Sequence, residues 1–296
     1  MGVGTQSTSE MGVEHRIKAS DFTVQMVVSD FNRRIQILDY EAREPCAMIR
    51  GLVAEARNRG YGKIFLKAPV FDRKALEDAG MVFEATITGY FSGQPAVVMS
   101  LYLNDDRMER PFESEQDEIL ETIGSRPPDA SVPDLPDGYR MAVATASDLE
   151  ELASLYGTVF DSYPFPITDP EYLLSTMDSH VVYRIVRDTE GVVVAAASAE
   201  TCRRHHNAEM TDFATLPSQR GLGLAQHILA ALEEDMAVCS NPNLYTIARA
   251  RSFGMNRVFY NRGYTMTGTL VNNCHISGQF EDMHVWCKTL EPSRQR

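Results

Sequence analysis

Residues 208–225 read Ala208-Glu209-Met210-Thr211-Asp212-Phe213-Ala214-Thr215-Leu216-Pro217-Ser218-Gln219-Arg220-Gly221-Leu222-Gly223-Leu224-Ala225, and an apolar helical pattern continues to about Cys239. Ala208 to Leu216 is expected as a strand and Leu222 to Cys239 as a helix, so the glycines fall between the two. Glycine there lets the backbone approach a ligand closely, and the N–H groups of the first helical turn have no acceptor within the helix. An anion such as a pyrophosphate is the natural guest of this loop. A plain strand-to-helix connection is the other use of the same residues.

Outward from this stretch the pattern is α/β. Towards the N-terminus come strand Arg140 to Val143, a helix to Val159, the aromatic loop Phe160 to Ile167, helix Pro170 to Met177, and strands Val181 to Arg187 and Val192 to Glu200. Beyond Cys239 follow strand Tyr245 to Ala248, helix Met255 to Asn261 and a hairpin of Thr265 to Val271 with Glu281 to Trp286. Phe22 to about Leu103 forms a second α/β unit, with Met48, Ile49, Leu52, Val53 and Ala56 at helical spacing after Pro45. Between the units, Asn104 to Gly138 holds five of the fourteen prolines. The resulting division is a leader at 1–20, an N-terminal domain at 21–104, an acidic Pro-rich linker at 105–138 and a C-terminal domain at 139–296.

With 44% apolar and 23% charged residues, the 296-residue chain suits about two folded domains, not a collagenous, mucin-like or disordered polymer. No apolar run approaches the roughly 18 residues of a membrane span. The net charge of −13 disfavours nucleic acid, yet residues 105–137 hold eleven acids against Arg107, Arg110 and Arg126, so acidity says little about the ligand. Five cysteines without a C-x-x-C pair argue against a disulfide framework and fit a reducing cytoplasm. Met1 to Ser20 lacks the apolar core of a secretory signal and reads as a disordered leader; Gln6 stands where N-myristoylation at Gly2 would want Ser or Thr. Cys274, His275, His284 and Cys287 offer only a superficial zinc set, because adjacent strand residues point to opposite faces, and no metal is expected. His205 and His206, beside Arg203 and Arg204, read as a basic solvated turn.

The stretch at 220–225 resembles the acetyl-coenzyme A loop of the Gcn5-related N-acetyltransferases (GNAT), whose pattern is Arg or Gln, two residues, Gly, one residue, then Gly or Ala. Arg220, Gly223 and Ala225 match it. Arg57-Asn58-Arg59-Gly60-Tyr61-Gly62 fits the same expression, but there the glycines end a helix and open a strand, so no helix N-terminus faces a phosphate. The order of elements from Tyr139 to Leu290 is also that family's order. The resemblance implies a mixed, mostly antiparallel central sheet flanked by helices, with acetyl-CoA as co-substrate. It places the pantetheine against the backbone of Phe213, Ala214 and Thr215, and the diphosphate on Arg220, Gly221, Leu222, Gly223, Leu224 and Ala225, with Asn256 as a further cofactor contact. An alkyl ammonium with a pKa near ~10.4 is only about one-thousandth free base at pH 7, so a base is wanted. Glu209 aligns with the family's strand glutamate that takes the proton. Asp212 is the second choice, on the opposite face by strand alternation. The thiolate's proton donor in many relatives is a tyrosine four residues before a glycine; here Phe259 takes that slot before Gly263, and Tyr260, one residue late and about 100° around a helix, is the expected donor.

Tyr163-Pro164-Phe165-Pro166-Ile167, Met210 to Thr215, Thr246 to Ala250, Gly268 to Asn273 and Glu281 to Trp286 are similar, more specifically, to β-lysine N-acetyltransferases, which acetylate the N6 amine of β-lysine to make a compatible solute. Such an acceptor needs acids or carbonyls for its amines and a cation for its carboxylate. Asp161, Glu200, Glu209 and Glu281 are the candidate acids, Arg249 and Arg251 the candidate cations, and Tyr163, Phe165 and Asn273 candidate pocket residues. Each has an ordinary structural use as well: surface charge, satellite core or hairpin turn. Polyamine or protein-amine transfer and a noncatalytic acyl-CoA sensor are the alternatives, and a homodimer stays open. The helix, glycine and hairpin that end the N-terminal half echo the end of the C-terminal one, which suggests a degenerate acetyltransferase-like half without a phosphate loop.

Overall fold

Apolar residues alternate at Val24, Met26 and Val28, and again at Ile35 and Ile37, which sends one face of two neighbouring strands into a core that needs a helix over it. Met48, Ile49, Leu52 and Ala56 supply that helix's buried stripe. The computed structural model describes residues 12–132, 134–276 and 278–291. Its N-terminal half runs β1 (Val13–Lys18), β2 (Phe22–Ser29), β3 (Arg34–Ala42), α1 (Pro45–Asn58), β4 (Lys63–Pro69), α2 (Arg73–Asp78), β5 (Val82–Phe91) and β6 (Gln94–Tyr102). After α3 (Glu113–Gly124) come β7 (Arg140–Val143), α4 (Leu149–Val159), α5 (Pro170–Met177), β8 (Val181–Arg187), β9 (Val193–Cys202) and β10 (Asn207–Thr215). The chain closes with α6 (Leu224–Val238), β11 (Asn243–Arg249), α7 (Phe253–Asn261), β12 (Thr265–Ile276) and β13 (Gln279–Thr289).

All thirteen strands join one sheet in the order β1-β2-β3-β4-β6-β5-β12-β13-β11-β10-β9-β8-β7. Counted outward from its centre, β5-β6-β4-β3-β2-β1 and β12-β13-β11-β10-β9-β8 repeat the same pairings, antiparallel except for the parallel pairs β4/β3 and β11/β10. Each parallel pair is bridged by a helix, α1 or α6, as parallel strands require. The halves meet where Gly268 of β12 pairs with Ala85 of β5. A Cβ at residue 268 would lie 2.7 Å from the Ala85 Cα and collide with the Glu84 carbonyl, so the seam depends on glycine. Phe65, Ile87 and Val98 from one half then share a core with Tyr245, Leu270 and Val285 from the other.

Three expectations change. Of the leader, residues 1–11, with the Gly2 site, lie outside the described residues, but Val13–Lys18 is strand β1, paired with Thr23–Val28. Every side chain of β1 is exposed, so backbone pairing and not burial holds it, and no apolar pattern announces it. The linker at 105–138 is no free tether: Ile123 of α3 is buried, Arg110 pairs with Asp282 at 3.0 Å and Arg251 with Glu115 at 3.0 Å, strapping the segment to the C-terminal half. Asn272 and Asn273 are not hairpin-turn residues but lie within β12, where residues 271–273 have no backbone register partner on β13 and Asn272 N–H donates instead to the Asp282 side chain at 2.7 Å. Their freed carbonyls accept from cations of the N-terminal half and the strap: Lys63 on Val271 at 2.8 Å, Arg107 on Asn272 at 2.9 Å, and Arg34 on Asn273.

Candidate active site

β10 and β11 pair only over Asn207–Glu209 and Asn243–Tyr245, and then part. Beyond that point β10 carries an extra residue: Thr211 faces Ser198 and Ala214 faces Ala196, leaving Asp212 and Phe213 against Ala197. Asp212 has φ 57°, in the left-handed region. A bulge of this kind bends the strand and resets its alternation. Ala208 and Met210 enter the core beneath α6, and the next residue to pack there is Phe213, three positions on instead of two. Strict alternation therefore misplaces Asp212, which the bulge turns to the face that carries Glu209.

On that face three carboxylates gather. Glu209 lies directly across from Glu200 of β9. Asp212 accepts hydrogen bonds from the Ser198 hydroxyl at 2.6 Å and the Tyr163 hydroxyl at 2.8 Å. Burial first, then Glu209 and Asp212, push the Glu200 pKa up to about 8, against the pull of Lys67. Burial likewise raises Asp212, although the Ser198 and Tyr163 hydrogen bonds oppose it. Lys67, on β4 of the other half, stands 3.5 Å from Glu209 Oε2 and donates to the Tyr245 hydroxyl at 2.8 Å. Burial would depress its pKa, but Tyr90, Glu209 and Glu200 hold it above the usual value.

Between the parted strands lies a cavity of about 710 Å³. Phe213, Thr215, Arg220, Gly221, Gly223, Leu224 and Ala225 line it, together with Tyr163, Asp212 and Arg249. α6 begins at Leu224, two residues later than expected, with Gly223 as its N-cap, and Leu222 is left exposed outside the cavity. Gly221 and Gly223 take φ 84° and 73°, and no atom lies within 4 Å of a Cβ built on Gly221. Among the described residues, the amide N–H groups of residues 221–225 find no acceptor. Open amides at the positive end of a helix, in a loop without side-chain bulk, fit a diphosphate. Ala214 sends its side chain into the core under α4.

Other expected site residues lie elsewhere. Asn256 is locked inside the protein: its Nδ2 donates to the carbonyls of Arg249 at 2.9 Å and Ser252 at 2.8 Å, and its Oδ1 accepts from Trp286 Nε1 at 2.9 Å and faces His284 Nδ1 at 3.0 Å. It braces β11 against α7 and has no free group for a cofactor. Tyr260 does not reach the cavity; its hydroxyl donates to the Arg126 carbonyl at 3.1 Å, while Phe259 takes the lining position, because α7 keeps the register that puts residue 259 inward. Asp161 and Phe165 are exposed and outside the cavity. Asn273 is buried in the β12 bulge and also outside it. Arg249 does line the cavity and pairs with Glu281 at 3.2 Å, leaving Arg249 Nε and Glu281 Oε2 buried without a protein partner among the described residues. Sequence reasoning missed Lys67 altogether, although a lysine inside the run Ile64-Phe65-Leu66-Lys67-Ala68 is itself a signal, since a buried charge needs a partner.

Comparison with known proteins agrees with this geometry. Residues 148–260, which hold the bulge, the loop and α6, match the acetyltransferase (GNAT) family. N-acetyltransferase YodP of Bacillus subtilis (strain 168) is 36% identical over 274 residues, 93% of this chain and 98% of that one. The β-lysine N(6)-acetyltransferase of Methanococcus maripaludis is 34% identical over 94% of this chain and its own full length. That of Methanosarcina mazei is 34% identical over 81% of this chain and 95% of its own. Identity over almost the whole of both chains removes the reading as a noncatalytic sensor. The chain belongs to the GNAT acetyltransferase family and is an N-acetyltransferase that draws its acetyl group from acetyl-CoA.

Proposed function

We propose that the acceptor is β-lysine, acetylated at its N6 amine to N6-acetyl-β-lysine, a neutralised zwitterion of the compatible-solute kind. The observation that carries this reading is one cavity lined by both Asp212, at the edge of a carboxylate cluster, and Arg249, backed by Glu281. A diamino acid presents two ammonium groups and one carboxylate, and those two features supply both signs of charge. The relatives named as β-lysine acetyltransferases support the same choice.

The loop amides of residues 221–225 and the Arg220 side chain would hold the coenzyme's phosphates, and the parted edge at Phe213 to Thr215 its pantetheine, much as an added strand would be held. When bound, acetyl-CoA supplies the thioester that is attacked and the thiolate that leaves. Asp212 receives the acceptor's ammonium at the cavity wall. Glu209, behind it, is the base of the cluster and takes the proton whose removal frees the amine lone pair. Tyr260 has no part in this scheme, and Phe259, which takes the lining position on α7, carries no hydroxyl to replace it. The N-terminal half is a degenerate second copy of the acetyltransferase unit, without a phosphate loop of its own.

Turnover on β-lysine, α-lysine, spermidine and lysine peptides tests the proposal. A kcat/KM highest for β-lysine is expected; a marked preference for spermidine or for peptides overturns it.

A further inference from the structure

The carboxylate cluster belongs to the C-terminal half, but its cation does not. Lys67 reaches Glu209 Oε2 at 3.5 Å and the Tyr245 hydroxyl at 2.8 Å, and its ammonium lies 5.3 Å from the Tyr90 ring and 4.7 Å from the Tyr245 ring. Two aromatic faces and a hydroxyl fix an ammonium in a place from which water is largely excluded. The titratable groups around it are Glu209 and Asp212 of β10, Glu200 of β9, Tyr245 of β11 and Tyr90 of β5. Carboxylates directly opposed on antiparallel strands repel each other, and a group of three, one buried and two half-buried, does not stay fully ionised without a compensating charge. Among the described residues, Lys67 is the cation in ion-pair contact with this cluster, while Arg34 of β3, held on the Asn273 carbonyl, acts on Glu209 without contact. A lone lysine buried in strand β4 would be costly to keep, and the cluster offsets that cost.

We infer that Lys67 is a positioning residue for acetyl transfer: its ammonium fixes the Glu209 carboxylate and balances the Glu200–Glu209 pair, so the N-terminal half completes the catalytic centre. Lys67 does not itself meet the acceptor; it acts through Glu209, and the inference rests on the reading of Glu209 as the base.

The test is the pH profile of kcat/KM for the acceptor in Lys67→Met, Lys67→Gln and Lys67→Arg. Loss of the positive charge disfavours ionised carboxylates, so in both neutral variants the acidic limb should move up by about one pH unit, which lowers the rate at pH values on the limb about tenfold. KM for acetyl-CoA should stay unchanged, and Lys67→Arg should return the limb towards its original place. A purely structural lysine would move stability and not the limb, so neutral variants with the original limb overturn the inference. Lys67→Gln keeps a donor for Tyr245 and carries the test if the methionine variant does not fold. If neither folds, the same comparison is made in Glu200→Gln, where one fewer carboxylate needs balancing, and an unmoved limb there also overturns it. Glu209→Gln separates the two claims. If it leaves the acidic limb in place, the Glu209 reading fails and the inference with it; if it removes the limb while neutral Lys67 variants do not shift it, only the inference about Lys67 fails.

Discussion

The two halves of the sheet share their pairing order, and each parts its parallel strands after a short register, β3 from β4 after Ile37 and Leu66, β10 from β11 after Glu209 and Tyr245. Each half also bulges near that point: Gln25 pairs with Asp39 and Met26 with Ile37, which leaves Leu38 unpaired as the bulge at Asp212 and Phe213 does in β10. Their connections differ. Residues 216–223 lead from β10 into α6, whereas only Arg43 and Glu44 lead from β3 into α1, which opens on Pro45, a residue without an N–H. The residue at the bulge differs as well, a buried acid at 212 and an exposed leucine at 38. A parted parallel pair is therefore common to both halves, while the glycine loop with open amides and the buried acid at the bulge belong to one. The other half shares the pairing order and contributes Lys67 to the acid cluster.

That contrast breaks most visibly at the base. Glu209→Gln should lower kcat/KM by about a hundredfold near neutral pH, the scale of a lost general base, with the loss read from steady-state rates across pH. Leu38→Ala, in the other half, should leave the rate as it is. Next is the loop. In Gly223→Val a side chain must adopt φ near 73°, which costs about 1–2 kcal/mol and should raise KM for acetyl-CoA about tenfold. The thermal upshift given by saturating acetyl-CoA should shrink with it, and an unchanged upshift would take the diphosphate off these amides.

The seam between the halves comes third. Gly268→Ala forces β5 and β12 apart, since its Cβ would meet the Ala85 Cα at 2.7 Å. Overpacking of this kind costs about 1–3 kcal/mol, a drop of a few degrees in Tm. Because β12 also carries the bulge gripped by Lys63, Arg107 and Arg34, kcat should fall with it; if stability drops at constant kcat, the seam matters to folding only.

How much of this was legible without coordinates depended on whether a feature leaves a local pattern. The strand, glycine loop and helix at 208–239 do, through composition and periodicity, and so does the apolar stripe of α1. The bulge does not: Met210-Thr211-Asp212-Phe213 is a passable alternating strand, and only the pairing with β9 reveals the extra residue, so the face of Asp212 could not be read. β1 has no buried side to mark it. The spacing from Phe259 to Gly263 gave the register of α7, but the need for a phenol favoured Tyr260, and only the packing of α7 puts Phe259 on the cavity instead. Asn256 looks like any polar helix residue until Trp286 and His284 arrive on it from β13. Lys67 meets Glu209 across 142 positions of sequence, a contact that the fold alone creates.

A smaller effect concerns stability against pH. The Glu200 carboxyl sits near 8 in the folded chain, raised by burial from its ordinary 4.5, so the folded state holds a proton that the unfolded state has released. Its contribution is fully present below about 4.5 and is lost as pH rises towards about 8. Glu200→Gln cannot lose that proton. Melting curves across this interval should therefore slope less in the variant than in the parent, and parallel slopes would show that the cluster stays ionised.

The smallest effect expected is at Tyr260, and it is informative for that reason. Its hydroxyl is occupied by the Arg126 carbonyl on the strap, and its neighbour Phe259 packs edge-on to Phe213 at 5.4 Å and to Tyr264 at 5.2 Å, which fixes the helix register. Tyr260→Phe loses one exposed hydrogen bond, worth about 0.5–1.5 kcal/mol, and nothing at the cavity. The kcat should stay within about twofold of the parent, as no proton donor is removed. A loss nearer a hundredfold, with the basic limb of the pH profile displaced, would mean that α7 turns by one residue when the coenzyme binds, and the division of labour between Phe259 and Tyr260 would have to be reversed.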